Sequence, residues 1–138
     1  MRIYTKIVGD LFHPGHVAFL AAARALGTHL TVCVVPDERV ALVKRRPIMT
    51  TDERVAVVAA CRHVDRVVTD GPREITRAFL DANGLDLYAY GAVDEAEAAV
   101  KLADCADLPP ARRVRLPYMP GISTSDLIDR VLRRAAGQ

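Results

Sequence analysis

Ile3-Tyr4-Thr5-Lys6-Ile7-Val8-Gly9-Asp10-Leu11-Phe12-His13-Pro14-Gly15-His16 is the stretch whose reading decides the fold. Its first part, Ile3 to Val8, is rich in residues that favour strands. The next segment, Val17 to Leu26, is built largely from Ala and Leu, and Gly27 stands where a helix C-cap glycine would. A strand therefore runs through a Gly- and Pro-containing loop directly into a helix, which is the opening half of a strand–helix–strand unit. The closing half is Leu30 to Val35, a continuous β-branched run suited to a strand buried on both faces.

The alternation continues outward from there. Thr50 or Thr51 caps a helix over Asp52 to Cys61, with acidic residues in its first turn. Val64 to Val68 reads as a short strand, Pro72 as the start of a helix that stops near Asn83-Gly84, and Leu85 to Tyr90 as the next strand. Glu95 to Leu102 is helical by composition, Val114 to Leu116 a short strand, and Ser125 to Arg134 a last helix. Strands alternating with helices predict an α/β fold: one doubly wound, five-stranded parallel sheet, with helices on both faces. Right-handed crossovers favour the order 3-2-1-4-5. Residues 1–138 show no linker, repeat or low-complexity stretch, so a single domain is expected. In such sheets ligands bind beyond the carboxyl ends of the strands, where the order reverses. That rule selects the loops after strands one, four and five.

The loop after strand one carries His13 and His16 about the helix start, and residues three apart there share a side. Gly15 leaves room for close backbone approach. The free N–H groups of the helix start favour phosphate, and the imidazoles can donate to a phosphoryl oxygen without a metal. Near the other end, Gly121-Ile122-Ser123-Thr124-Ser125 precedes the last helix and reads as a second phosphate cradle. Two helix starts would then converge on one polyphosphate.

Composition narrows the partners. Nineteen basic residues against seventeen acidic ones give a net charge of +2, with no drive toward nucleic acid or membrane. No apolar run is long enough for a membrane span. The amino-terminal residues read as a first strand and not as a signal peptide. Cys33, Cys61 and Cys105 have no CxxC spacing, so a zinc site is not indicated, and a reducing cytoplasmic location is expected.

HPGH (13–16), PDERVALVKRRPIMTTDERVAVVAACRHVDRVV (36–68) and GISTSDLI (121–128) resemble the cytidylyltransferase family, which includes glycerol-3-phosphate, ethanolamine-phosphate and choline-phosphate cytidylyltransferases. The resemblance implies a Rossmann-like fold, transfer of CMP from CTP to a small phosphorylated alcohol or phosphonate with release of pyrophosphate, Mg²⁺ bound mainly through the triphosphate, and a homodimer. It assigns transition-state stabilisation to His13 and His16 and a triphosphate and acceptor contact to Lys44. Asp10, Gly15, Gly91, Gly121, Ile122, Ser123 and Thr124 fall at nucleotide-binding positions, and Arg62 in the family's R-Y-V-D-E-V segment. No metal ligand is assigned on the protein.

The chain departs from that pattern in four places. Only Asp10 remains of the usual Gly-Thr-Phe-Asp stretch, and Lys6 stands where relatives often carry an acidic or aromatic residue. A lysine inside a central strand must be paired or aimed at a ligand. Gly91-Ala92-Val93-Asp94 lacks the acidic residue after the glycine. The arginine expected before Gly121 is missing, with Arg113 and Arg115 as candidate substitutes. Arg73 falls where the glycerol-phosphate enzyme has a Trp in its acceptor pocket. Lys6, Arg62 and Arg73 are thus acceptor-binding candidates, and they suit a small anionic acceptor. Two other readings stay open: an adenylyltransferase acting on a cofactor precursor, and a degenerate nucleotide-binding module.

Overall fold

The computed structural model describes residues 1–42, 45–118 and 120–137. The strands β1 (Arg2–Ile7), β2 (His29–Val34), β3 (Arg66–Val68), β4 (Leu87–Gly91) and β5 (Arg113–Leu116) form one sheet in the order β3-β2-β1-β4-β5. Every pairing is parallel. The expected 3-2-1-4-5 topology is the one found. The helices are α1 (Pro14–Ala25), α2 (Asp37–Val40), α3 (Thr51–Ala59), α4 (Arg77–Ala82), α5 (Glu95–Asp104) and α6 (Thr124–Ala135).

The sheet is buried on both faces because β1, β2 and β4 present apolar side chains alternately to each side. One cluster joins Ile3, Val32, Val34 and Ala89 to Leu20 of α1 and Val58 of α3. The other joins Tyr4, Cys33, Tyr88 and Tyr90 to Leu80 of α4 and to Cys105 and Leu108 beyond α5.

Local signals fix the entry to α3. Thr50 Oγ1 accepts from Glu53 N at 3.2 Å, and Glu53 Oε1 accepts from Thr50 N at 2.9 Å, a reciprocal capping box. Thr50 is therefore the cap, and Thr51 begins the helix. In the VDRVV segment Asp65 is a brace: its Oδ2 accepts from Leu30 N at 2.8 Å and meets Arg24 Nε at 2.9 Å. That brace delays β3 to Arg66, two residues after the expected start.

Two further expectations change. Helix α4 begins at Arg77 and not at Pro72, because Thr76 Oγ1 caps Phe79 N at 3.1 Å while Ile75 is drawn into the core with its N–H on Asp104 O. The short helix α2, unexpected from the sequence, is held by the buried side chain of Val40.

Candidate functional site

His13 and His16 make a capping box out of imidazoles. His13 is the N-cap of α1, and its Nδ1 accepts from Gly15 N at 3.0 Å. His16 Nδ1 accepts from His13 N at 3.1 Å. The ring centroids lie 3.9 Å apart, and Phe12 stacks on His16 at 5.3 Å. A neutral imidazole has one donor and one acceptor nitrogen. With both Nδ1 atoms accepting, both Nε2 atoms carry the proton and are the donors. Burial holds the His13 imidazolium below the usual histidine range. Burial, and then the charge of His13, push His16 down to about 4, with Asp10 opposing. At neutral pH the pair therefore consists of two fixed, uncharged Nε2–H donors at a helix start.

Gly15 has a different neighbour from the one expected. A Cβ there would stand 2.7 Å from His13 Cε1, so the glycine makes room for the His13 ring to fold back as a cap. Leu11, just before the pair, sits at φ 49°, a left-handed conformation that costs a non-glycine residue about 1–2 kcal/mol.

Three segments converge here. The buried Asp10 carboxylate accepts from Ile48 N and from Met49 N, each at 2.9 Å, and so pins the 45–50 loop. Thr124 Oγ1 donates to Asp10 O at 2.9 Å, which ties the start of α6 to the same loop. Ile122 lies beside Gly15, Gly121 adopts φ +90°, and Arg45 reaches Ser125 Oγ at 3.3 Å.

The two hydroxyls differ in what they have left to give. Ser123 Oγ accepts from Asp126 N at 3.1 Å and keeps its own proton for a ligand. Thr124 has already given its proton to Asp10, so it acts as a clamp.

A buried arginine underpins this corner. Arg54, fully inaccessible, donates to Val8 O and Val35 O at 2.7 Å each, to Met49 O at 3.2 Å and to Asp37 Oδ1 at 2.6 Å. It joins the ends of β1 and β2 to the loop that Asp10 holds. The sequence reading missed it. The available signal was its place four residues before Val58, on the buried face of α3.

Lys6 is paired, as a strand lysine must be. Its Nζ donates to Arg73 O at 2.7 Å and lies 3.9 Å from Asp104 Oδ2. Arg73 Nε stands 3.7 Å from the other oxygen of Asp104, so one carboxylate gathers both candidates. Burial lowers the Lys6 ammonium from its ordinary range, Asp104 opposes this, and Arg39 and Lys101 add to it.

Other candidates lie elsewhere. Arg62 is exposed in the turn that leads into the amino-terminal end of β3, because α3 runs back along the sheet; within one chain it is at the edge opposite the histidines. Gly91, the last residue of β4, faces Phe19, whose ring would stand 3.1 Å from an added Cβ; packing accounts for this glycine. Arg115 is held by Glu95 at 2.8 Å, and Arg113 is the first residue of β5, at the end of the sheet away from the histidines. Lys44 lies outside the described residues.

Comparisons with known proteins find a family and a fold that the chain resembles. A family model described as cytidylyltransferase-like matches residues 10–130. Choline-phosphate cytidylyltransferase A of Mus musculus is 34% identical over 140 residues, covering 96% of this chain and 37% of the relative. Ethanolamine-phosphate cytidylyltransferase of Arabidopsis thaliana is 39% identical over 97 residues, covering 69% of this chain and 23% of the relative. The chain thus spans well under half the length of these curated relatives. Among solved structures, a lipopolysaccharide core biosynthesis protein from Thermoplasma volcanium GSS1 superposes with a TM-score of 0.66 at 24% identity, over 86% of this chain and 98% of that one, a likeness of fold.

Proposed function

The chain belongs to the cytidylyltransferase-like family, and from that premise we propose that it transfers CMP from CTP to a small phosphorylated alcohol or phosphonate. A phosphate or phosphonate oxygen of the acceptor attacks the α-phosphorus of CTP in line. The bond from that phosphorus to the oxygen bridging to the β-phosphorus breaks, and pyrophosphate leaves with the electron pair. The acceptor oxygen is already anionic, so no general base is required.

The observation that carries this reading is the imidazole capping box. Its two Nε2–H donors are oriented before any ligand arrives, so they stabilise charge on the α-phosphoryl oxygens at no reorganisation cost. The free N–H groups at the start of α6 and the Ser123 hydroxyl suit the leaving phosphates. Asp10, Thr124 and Arg54 hold these two helix starts in register. The names of the curated relatives, which pair cytidylyl transfer with phosphorylated amino alcohols, support the nucleotide and a phosphorylated acceptor in general.

Both oxygens of Asp10 are taken by backbone N–H groups, and the described residues hold no cluster of three His, Cys, Asp or Glu side chains suited to a metal. Mg²⁺ is proposed to be carried on the triphosphate, where it would neutralise the leaving pyrophosphate. A second copy of the chain is proposed as partner; on α3, Val55 and Val58 pack into the core and Val57 is exposed. None of the described helices is long and apolar enough to cross a membrane.

Pyrophosphate release from CTP, measured against ATP over a panel of small phosphates and phosphonates, tests the proposal. Release that depends on both CTP and an acceptor is expected. Release with ATP alone would assign adenylyl transfer, and none with either nucleotide would favour a binding module.

A further inference from the structure

The carboxyl rim of the sheet has a second side. Ile3 and Ile7 of β1 pack with the α1–α3 cluster, while Tyr4 belongs to the opposite one. Alternation along the strand puts Lys6 on the Tyr4 side, away from the face covered by α1. Four elements bring cations to this rim: Lys6 from β1, Arg39 from α2, Arg73 from the segment before α4, and Lys101 from α5.

Backbone carbonyls hold three of them in place. Lys6 donates to Arg73 O, Arg39 to Gly71 O and Lys101 to Gly91 O. Carbonyl oxygens fix a cation's position without cancelling its charge. The carboxylates are fewer than the cations. Asp104 is shared by Lys6 and Arg73 at 3.9 and 3.7 Å, both longer than a direct hydrogen bond. Glu97 takes Lys101 at 3.1 Å. Among the described residues no carboxylate lies within 4.0 Å of Arg39, and Asp70, nearby along the chain, pairs with none of the four. Within ion-pair distance the four cations are met by two carboxylates, Asp104 and Glu97, while the exposed Glu38, Asp70 and Glu74 flank them along the chain. The loop that carries Asp10 and His13 leaves the same end of β1.

We propose that this rim, Lys6 with Arg39, Arg73 and Lys101, binds a second anionic group on the acceptor, apart from the phosphate or phosphonate that attacks CTP. The proposal rests on the cytidylyl-transfer reading above. The acceptor class is then a short molecule with an anion at each end, such as a phosphorylated hydroxy acid or a carboxyalkyl phosphonate. A second carboxylate or phosphonate would meet donors already in position. An amino-alcohol tail would bring its cation against Lys6 and Arg73, where like charges repel.

Three phosphonates of matched length test this: 3-phosphonopropionate, propylphosphonate and 3-aminopropylphosphonate. With CTP, kcat/KM is expected to fall in that order, each step by about 10-fold or more, the size of a hydrogen bond to a charged group. Arg73→Gln, at a largely exposed position that folding tolerates, is expected to raise KM for 3-phosphonopropionate about 10-fold and to leave KM for CTP unchanged. Equal use of the three, or preference for the aminoalkyl compound, would overturn the proposal.

Calorimetry of 3-phosphonopropionate and propylphosphonate binding needs no turnover. Tighter binding of the carboxylate, weakened in Arg73→Gln and in Lys6→Met, is the expected result. Equal binding of the two overturns the proposal whatever nucleotide is used. Absence of pyrophosphate release with all three acceptors would contradict the transfer reading, and the calorimetric comparison would still decide the rim.

Discussion

The histidine corner and the Lys6 rim leave the same end of β1, yet they are held in opposite ways. The imidazoles of the corner are uncharged and are fixed by hydrogen bonds that belong to the fold: a helix cap, a loop staple on Asp10, a buried arginine beneath. The rim is charged, and its contacts with Asp104 are long. Groups that stabilise a transition state gain most when they are immobile before the reaction. Groups that choose among acceptors can exchange a weak internal partner for a ligand. The contrast assigns chemistry to the corner and selection to the rim.

The largest effect should come from separating cap from donor. His13→Asn keeps an N-cap acceptor but removes the Nε2–H. Turnover is expected to fall by about 100- to 1000-fold, as when an oxyanion donor is lost, with the thermal midpoint near that of the parent protein. His13→Ala should lose the same activity and also about 1 kcal/mol of stability, measured by denaturant titration. An equal stability loss in both variants would mean that the cap does not matter.

Next is Arg54→Met. It leaves three carbonyls without their donor and Asp37 without its guanidinium partner. Unfolding free energy should drop by about 3 kcal/mol, and a drop under about 0.5 kcal/mol would remove Arg54 from the support of the corner. Thr124→Val should be milder: release of the α6 start from Asp10 is expected to lower kcat/KM for CTP by about 10-fold, with KM for the acceptor little changed.

The pH dependence separates corner from rim without mutation. A free histidine takes up its proton near 6.5, whereas His16 does so only at about 4 in the folded protein. Because the unfolded chain binds that proton first, stability from this group is complete above pH 6.5 and is lost as pH falls toward 4. His16 should therefore give activity no inflection near 6.5 on its acid side. The smallest effect is expected at Arg115→Ala, which breaks an exposed ion pair with Glu95 and should change stability by under about 1 kcal/mol.

The same division separates what was legible in the sequence from what was hidden. The strands came from apolar runs, because burial on both faces forces stretches such as Leu30 to Val35, and their order came from the handedness of the crossovers. His13 and His16 stood out by type and spacing. Their Nδ1 contacts did not, since a capping imidazole and a free one look alike in a sequence. Pro72 misled because a proline marks where a helix can begin, while Thr76 and the burial of Ile75 decide where it does. Arg39 and Lys101 were invisible as partners of Lys6 because they come from elements far apart in sequence. Gly91 looked like a ligand glycine because the ring of Phe19, the neighbour that requires it, is seventy-two residues away in the chain.

The central claim is that His13 and His16 are two neutral imidazoles wired to point Nε2–H outward. Nitrogen-15 NMR of the imidazole rings, recorded from pH 8 to 4.5, tests it most directly. At pH 7 both Nδ1 atoms are expected to resonate as bare acceptors and both Nε2 atoms as protonated donors, with no titration of His16 until the pH nears 4. Averaged tautomers in either ring at pH 7, or a His16 midpoint near 6.5, would contradict it.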